Sequence, residues 1–575
     1  MVDFRRLRDR KLVQWGLAYL AGAWLLLQLT GLLADMFSWP PVIGRVAAVV
    51  LGIGFLAALV VAWYHGERGS QRVGGVELLM LAGILVTAGA AVAFFARGSS
   101  RSEDDGTEAS PAAIGEAAEQ GSIAVLPFVN LSGDPAQEFF SDGLTEELLN
   151  VLAQVPGLRV AARTSAFSFK GQNVKVDSVG RALRVAHVLE GSVRQAGNQV
   201  RITAQLIDAR SGYHLWSDTY DRPYEDIFAI QDEISRAIVA ELRLRMGGSP
   251  ASAPAAVART ADPEAHTLVL RAMAADRVMD DSTAAALYRA ALGRDPEYLE
   301  ARAGLASALG HLAYGGHLPR EAGYRAAREE AERVLAVDAG HEDAHVALGL
   351  ITDWHDWDFR RAEQHYRRAL ERNPNNARAH RSLAWLLMRL EQPEQALAEA
   401  RRAVELDPLQ AGSVNSLGVI HLFAGQLEQA IRTLNDALAL VPDLAPVLSN
   451  LTLSYVEAGR YREAIETGER LRALTARDEV GQLSSLGYAY ARAGRRADAE
   501  RILREFDGAD GVMWVDRALI NLWLGNTDLA LDQLEQAVEA REDYVADLAI
   551  DPAYRPLRGN PRFEKLLVRV GLKVE

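Results

Sequence analysis

The chain has 575 residues, a formal net charge of −14 and a pI near 5.5. That length exceeds a single hydrophobic core, so roughly two to four domains are expected, and the acidic balance weighs against general binding to nucleic acid. With no cysteine, disulfides, thiolate catalysis and cysteine metal sites are excluded together.

Three apolar runs open the chain, at residues 13–34, 42–63 and 77–96. Each is long enough to cross a hydrocarbon core of about 30 Å as a helix. Trp15, Trp24, Trp39, Trp63 and Tyr64 fall mostly near the run ends, where amphipathic rings prefer the interface. The basic residues Arg5, Arg6, Arg8, Arg10 and Lys11, with Arg68 and Arg72 in the second loop, assign those segments to the cytoplasm. Residues 1–97 therefore predict a membrane region of three transmembrane helices. The rest of the chain is expected in the periplasm of a Gram-negative cell, anchored to the inner membrane.

Residues 98–121 are small, polar and acidic and read as a flexible linker. A compact α/β domain is expected over 122–246. It opens with the apolar strand of residues 122–128, followed by a helix carrying Leu144, Leu148, Leu152 and Val155. Pro156-Gly157 ends that helix. Val200, Ile202, Ala204 and Leu206 alternate with Arg201, Thr203 and Gln205, flanked by the turn signals Gly197-Asn198 and Ser211-Gly212. Ile230, Ile234, Ile238 and Leu242 mark a closing amphipathic helix. A second linker covers 247–261.

The string SIAVLPFVNLSGDPAQEFFSDGLTEELLNVLAQVPGLRVAARTSAFSFKG, with LEGSVRQAGNQVRITAQLIDARSGYHLWSDTYDR, resembles the TolB amino-terminal-like domain. The resemblance implies an α/β sandwich of the kind found in bacterial membrane proteins that carry tetratricopeptide repeats. Such modules are often preceded by a winged-helix or nucleotide cyclase domain. The residues ahead of the first apolar run are too few for either, so neither activity is expected within the chain.

Residues 262–545 carry a period of 34. Ala362, Ala396, Ala430 and Ala464 are equally spaced, as are Ala369, Ala403 and Ala437, and Pro374, Pro408 and Pro442. No single helix or strand has a period that long, so the unit is a repeated pair of elements. Gly349, Ala384, Gly418, Thr452 and Gly487 hold the small position of the first helix, and Gly425, Gly459 and Gly494 the turn between helices. The pattern is similar to tetratricopeptide repeats, about eight of them, with residues 546–575 as a capping segment. The expected fold class is thus multidomain: three membrane helices, a TolB-like α/β sandwich and an all-α solenoid.

The family pattern projects Arg378, Arg381, Trp385, Arg389, Asn415, Val419, Phe423, Tyr488 and Arg492 onto the concave face as a candidate peptide groove. Arginine, asparagine and aromatic side chains suit an extended peptide or an acidic C-terminus. His341-Glu342-Asp343-Ala344-His345 matches the zinc-protease signature H-E-x-x-H. The repeat register places it at the start of a repeat helix, and Leu348 and Ile351 stand where the extended motif needs other residues, so no metal is expected. Asp353-Trp354-His355-Asp356-Trp357-Asp358 lies between paired helices, where tryptophans lock a turn. No phosphate-binding loop, nucleophile elbow or catalytic triad is found, and no catalytic residue or cofactor is expected. The sequence predicts a non-enzymatic scaffold or sensor that binds protein or peptide partners and can form homo-oligomers. The alternative is a regulator relaying a periplasmic signal to a separate cyclase, kinase or transcription factor.

Overall fold

The alternating and apolar runs of the first domain assemble into one mixed sheet. Its strands are β1 Ser122–Val125, β2 Val129–Asn130, β3 Arg159–Val160, β4 His187–Ala196, β5 Gln199–Asp208 and β6 His214–Pro223. The order is β3-β1-β4-β5-β6, with β2 pairing β4. β1 runs parallel to β3 and β4, whereas β4, β5 and β6 form an antiparallel meander. Helices α1 (Glu138–Ala153), α2 (Arg163–Phe167), α3 (Val176–Leu183) and α4 (Ile227–Met246) complete the domain. Leu144, Leu148 and Leu152 of α1 and Ile230, Ile234 and Ile238 of α4 join Val200, Ile202, Ala204 and Leu206 of β5 in one core. In the computed structural model the described residues are 121–572, less 135–137, 224–226, 247–259, 261, 278–279, 315–316, 476–479 and 508–512.

The expected fold class needs correction in its membrane part. Among the described residues no helix is long and apolar enough to cross a membrane. The longest, α4, has 20 residues and interrupts its apolar positions with Asp232, Glu233, Arg236, Glu241, Arg243 and Arg245. Such a helix buries one face against a sheet and leaves the other in water. The three runs predicted to span lie outside the described residues. The described chain is mostly helical, built from helix pairs.

Eight such pairs follow the α/β domain among the described residues: α5 (Pro263–Arg277) with α6 (Asp281–Arg294), α7 (Leu299–Tyr314) with α8 (Arg320–Val337), α9 (Glu342–Ile351) with α10 (Phe359–Arg372), and α11 (Ala377–Arg389) with α12 (Pro393–Leu406). Then come α13 (Ala411–Phe423) with α14 (Leu427–Leu440), α15 (Ala445–Glu457) with α16 (Tyr461–Leu474), α17 (Ser484–Arg492) with α18 (Arg496–Phe506), and α19 (Trp514–Trp523) with α20 (Thr527–Glu539). A final helix, α21, covers Pro561–Arg569. The ladder alanines 362, 396, 430 and 464 are all fully buried on the second helices. The small residues of the first helices admit their partners: a Cβ on Gly349 would lie 2.4 Å from the Tyr366 ring.

The solenoid carries the α/β domain on the edge made by its inter-repeat loops. Asn375, between α10 and α11, donates from Nδ2 to the carbonyls of Ala153 and Leu158 and accepts from the Val160 amide. One loop further on, Ser165 Oγ donates to Asp407 at 2.6 Å and accepts from the Leu409 amide. The Ala162 amide donates to the Leu406 carbonyl at 2.6 Å. Buried backbone groups at the end of α1 and around β3 would otherwise lack partners, so these loops satisfy both elements at once. Earlier in the chain, α1 approaches α5 closely: a Cβ on Gly143 would fall 2.1 Å from Leu270.

Gly459, with φ +71°, closes α15 through a bond from its own amide to the Val456 carbonyl and one from Arg460 to the Tyr455 carbonyl, the Schellman pattern. The same turn position one repeat pair earlier than Gly425 is held by Glu391 at φ 58°. A Cβ at Gly459 meets open space, so Gly459→Ala isolates the cost of a left-handed backbone. Denaturant unfolding should show a loss of about 1 kcal/mol. Glu391→Ala, where that cost is already present, should leave the midpoint nearly unchanged.

Candidate functional site

The first helices of successive repeats share one face, and that face lines a cavity of about 460 Å³. Trp385 of α11, Val419 and Phe423 of α13, Leu453 of α15 and Leu519 of α19 supply its apolar wall. The Trp385 and Phe423 rings meet edge to face with centroids 6.0 Å apart, and Trp385 Nε1 donates to Ser416 Oγ. The opposite wall is the C-terminal segment, through Tyr544, Asp547, Leu548, Asp551 and Tyr554. Burial pushes the carboxyls of Asp516 and Asp551, both on this cavity, up to about 7.

The nine projected groove residues separate into distinct environments. Trp385, Val419 and Phe423 lie together on the cavity. Asn415 accepts from Asn450 Nδ2 at 3.0 Å, a side-chain bond between adjacent repeats. Tyr488 is fully buried and donates to Glu457 at 2.6 Å. Arg492 stacks on Trp523 at 4.2 Å and donates to the hydroxyls of Tyr488 and Tyr461. Arg378 is exposed. Burial lowers the Arg381 guanidinium from its ordinary value, with neighbouring Arg378 adding to that and Asp407 opposing it. None of these arginines lines the cavity.

Arg389 has a different role. Its Nε donates to Asp547 at 2.7 Å and its Nη1 to Asp353 at 2.6 Å, with all three side chains largely buried. Burial alone would lower the guanidinium, but the two carboxylates outweigh it and hold it charged. The bridge fastens the C-terminal segment to the first helix of the fourth pair. Nearby, Arg541 donates to the His355 carbonyl and stacks on Trp357 at 4.6 Å, while Arg320 donates to the Arg541 carbonyl. The segment expected to cap the last repeat thus also returns to the fourth pair through Asp547, and Arg541 just before it reaches the second and third pairs. Its receptor is the Asp353–Asp358 cluster, which forms a π-helical turn with Trp357 left-handed at φ 58°.

Of the residues that sequence reasoning passed over, Leu453 follows from the same register. Trp385, Val419 and Leu453 stand 34 apart, so one more step from Val419 reaches the cavity wall. Asp547 and Tyr554 have no such periodic signal.

The two histidines of the H-E-x-x-H string have separate surroundings. His345 places Nε2 3.0 Å from the Ala339 carbonyl oxygen and Nδ1 3.0 Å from His365 Nδ1. Burial lowers the His365 imidazole to about 4, and the neighbouring His345 adds to the effect. His341 faces a smaller cavity against the α/β domain. Among the described residues no group of three or more histidine and carboxylate side chains is placed to hold a metal ion. Glu342 accepts from Asn373 Nδ2 at 2.7 Å. Its carboxyl is pushed up to about 8, first by burial and then by Asp343, against the opposing effect of Asn373 and Arg372.

A model of the tetratricopeptide repeat family matches residues 356–417. A Rhizobium meliloti (strain 1021) protein that carries the name adenylate cyclase 3 is 49% identical over 150 residues, 26% of this chain and 25% of that protein. The chain thus spans a quarter of the length of this curated relative. Among solved structures, MamA is 22% identical with a TM-score of 0.24, covering 34% of this chain and 94% of its own. Pseudomonas aeruginosa PilF is 21% identical with a TM-score of 0.28, covering 42% and 98%. The type IV pilus biogenesis factor PilW is 20% identical with a TM-score of 0.31, covering 36% and 96%. The chain carries tetratricopeptide repeats.

Arg389→Met leaves two buried carboxylates without their cation, and equilibrium unfolding should show a loss of about 3–5 kcal/mol. Glu342 binds its proton more tightly in the folded chain than in the unfolded one. Its contribution is therefore complete below its ordinary value near 4.5 and is lost as pH rises through about 8. Asp516 and Asp551 act likewise up to about 7. Chemical denaturation at pH 7 and pH 9 should show Glu342→Gln losing less stability over that interval than the parent chain.

Proposed function

We propose that the chain is a protein-interaction scaffold that binds a partner segment in the cavity between the first helices and the returning C-terminal segment, with no chemistry of its own. The observation that carries this reading is the cavity of about 460 Å³, whose apolar wall is lined by Trp385, Val419, Phe423 and Leu453. Its polar margin holds Asp516, Asp547 and Asp551 and, among the described residues, includes no arginine or lysine. An acidic C-terminus would find no cation in this lining to pair with. The partner segment that fits carries apolar anchors and a basic or neutral donor. The α/β domain, whose sequence resembles TolB amino-terminal-like modules, serves as a second platform beside the repeats.

A peptide library displayed against the full chain tests the reading. Selected peptides should combine apolar anchors with lysine or arginine, and Val419→Trp should weaken them about tenfold or more by filling the cavity. Peptides whose affinity is indifferent to both Val419→Trp and Phe423→Ala would overturn it. The relative named as a cyclase favours a second reading, in which the scaffold regulates a separate cyclase. Unchanged cyclic AMP in cells lacking this chain would remove that reading.

A further inference from the structure

A second cavity, of about 110 Å³, lies at the loop edge of the solenoid against the α/β domain. Its walls are α1 of the α/β domain, α5, the starts of α7 and α9, and the end of α10. It is far larger than a single water requires. Six carboxylates line it, of which Glu146 is paired with Arg163 at 3.0 Å, and Arg372 is the guanidinium in the lining.

Three polar groups there are incompletely matched. Glu147 accepts from His266 Nε2 at 3.0 Å through Oε1, while its Oε2 is buried without a hydrogen-bond partner. Glu342 accepts from Asn373 through Oε1, and its Oε2 is likewise unmatched. His341 is only 8% exposed, and its Nδ1 has no partner. A buried polar atom left this way loses its hydration without gaining a partner. Two of the three atoms can only accept while their carboxylates are ionised, and the third accepts when the imidazole proton sits on Nε2. Once Glu342 is ionised, above about pH 8, the missing complement is a set of N–H donors, and the excess of carboxylates over the Arg372 guanidinium favours a positive one. On the other side of the cavity Val151, Val269, Leu270 and Met273 offer an apolar wall, which suits a short hydrocarbon stem.

We infer that this cavity binds an organic cation, an alkylammonium or guanidinium group on a short aliphatic stem. The charged head sits between Glu147, His341 and Glu342, and the stem lies along Val269 and Met273. The site spans the α/β domain and three repeat pairs, so an occupant would tie them together. The same chemistry is available from a free amine or from a lysine or arginine side chain of a partner.

Isothermal titration of the full chain tests this with 1,4-diaminobutane, agmatine and N-acetyl-lysine methylamide. The measurement is made at pH 9, where Glu342 is ionised and the amines remain largely protonated. Tetramethylammonium at equal ionic strength, which has charge but no N–H, is the control. Saturable one-to-one binding of at least one N–H cation, absent with tetramethylammonium, is the expected result. Tight binding of the first two alone would identify a free amine, and of the lysine derivative a side chain. Glu342→Gln should weaken binding about tenfold or more, and Val151→Trp, which fills the cavity while keeping every charge, should abolish it. Thermal melts of both variants establish that they are folded. No binding by the parent chain, equal binding of tetramethylammonium, or affinity unchanged in both folded variants would overturn the inference. So would stoichiometric zinc uptake that is lost in His341→Ala, in the absence of amine binding.

Discussion

The solenoid cavity depends on one buried cation. Arg389 neutralises Asp353 on one side and Asp547 on the other, and in doing so holds the C-terminal segment across the face of the first helices. Two carboxylates facing a low-dielectric interior would repel each other and resist burial. With the guanidinium between them they become a fastening. The apolar residues that follow, Leu548, Tyr554 and Leu557, then join the same core as Leu386, Tyr488 and Leu522. Without that fastening, Trp385, Val419 and Phe423 would line an open surface instead of one wall of an enclosure.

The repeats were legible because their physics is periodic. Two helices can cross closely only where side chains are small, and every repeat meets the same demand, so Ala362, Ala396, Ala430 and Ala464 recur at equal steps and are all fully buried. The mixed sheet was legible for a similar reason, since β5 alternates buried residues with less buried ones from Gln199 to Leu206. The groove was legible only in part. Trp385, Val419 and Phe423 follow the register, but Arg389 was read with them when its side chain is spent on Asp353 and Asp547. A single long-range ion pair leaves no period to detect. The projection also assumed an open concave face, whereas residues 544–554 occupy part of it.

The docking of the α/β domain was illegible for another reason. Asn375 and Asp407 occupy inter-repeat loops, where asparagine and aspartate ordinarily cap helices or turn the chain. Nothing local distinguishes an asparagine that serves its own loop from one that bonds Ala153, Leu158 and Val160 more than two hundred residues away. The H-E-x-x-H string shows the converse. Its spacing suggested convergent imidazoles, but His345 is engaged with Ala339 and His365 while His341 faces the α/β domain.

An open solenoid deforms like a spring, spreading a small strain over every repeat interface. The bonds from Arg320 and Arg389 to the C-terminal side, and from Arg541 back to His355, change that mechanical character. A stack whose last segment is joined back to its second, third and fourth pairs cannot widen gradually there, because any appreciable opening must first break the join. Widening is therefore a threshold event, with stiffness set by the latch more than by the repeats. A ligand longer than the enclosure can enter only by threading along it or by releasing the latch. Either route makes entry and exit slow compared with binding to an exposed helical face.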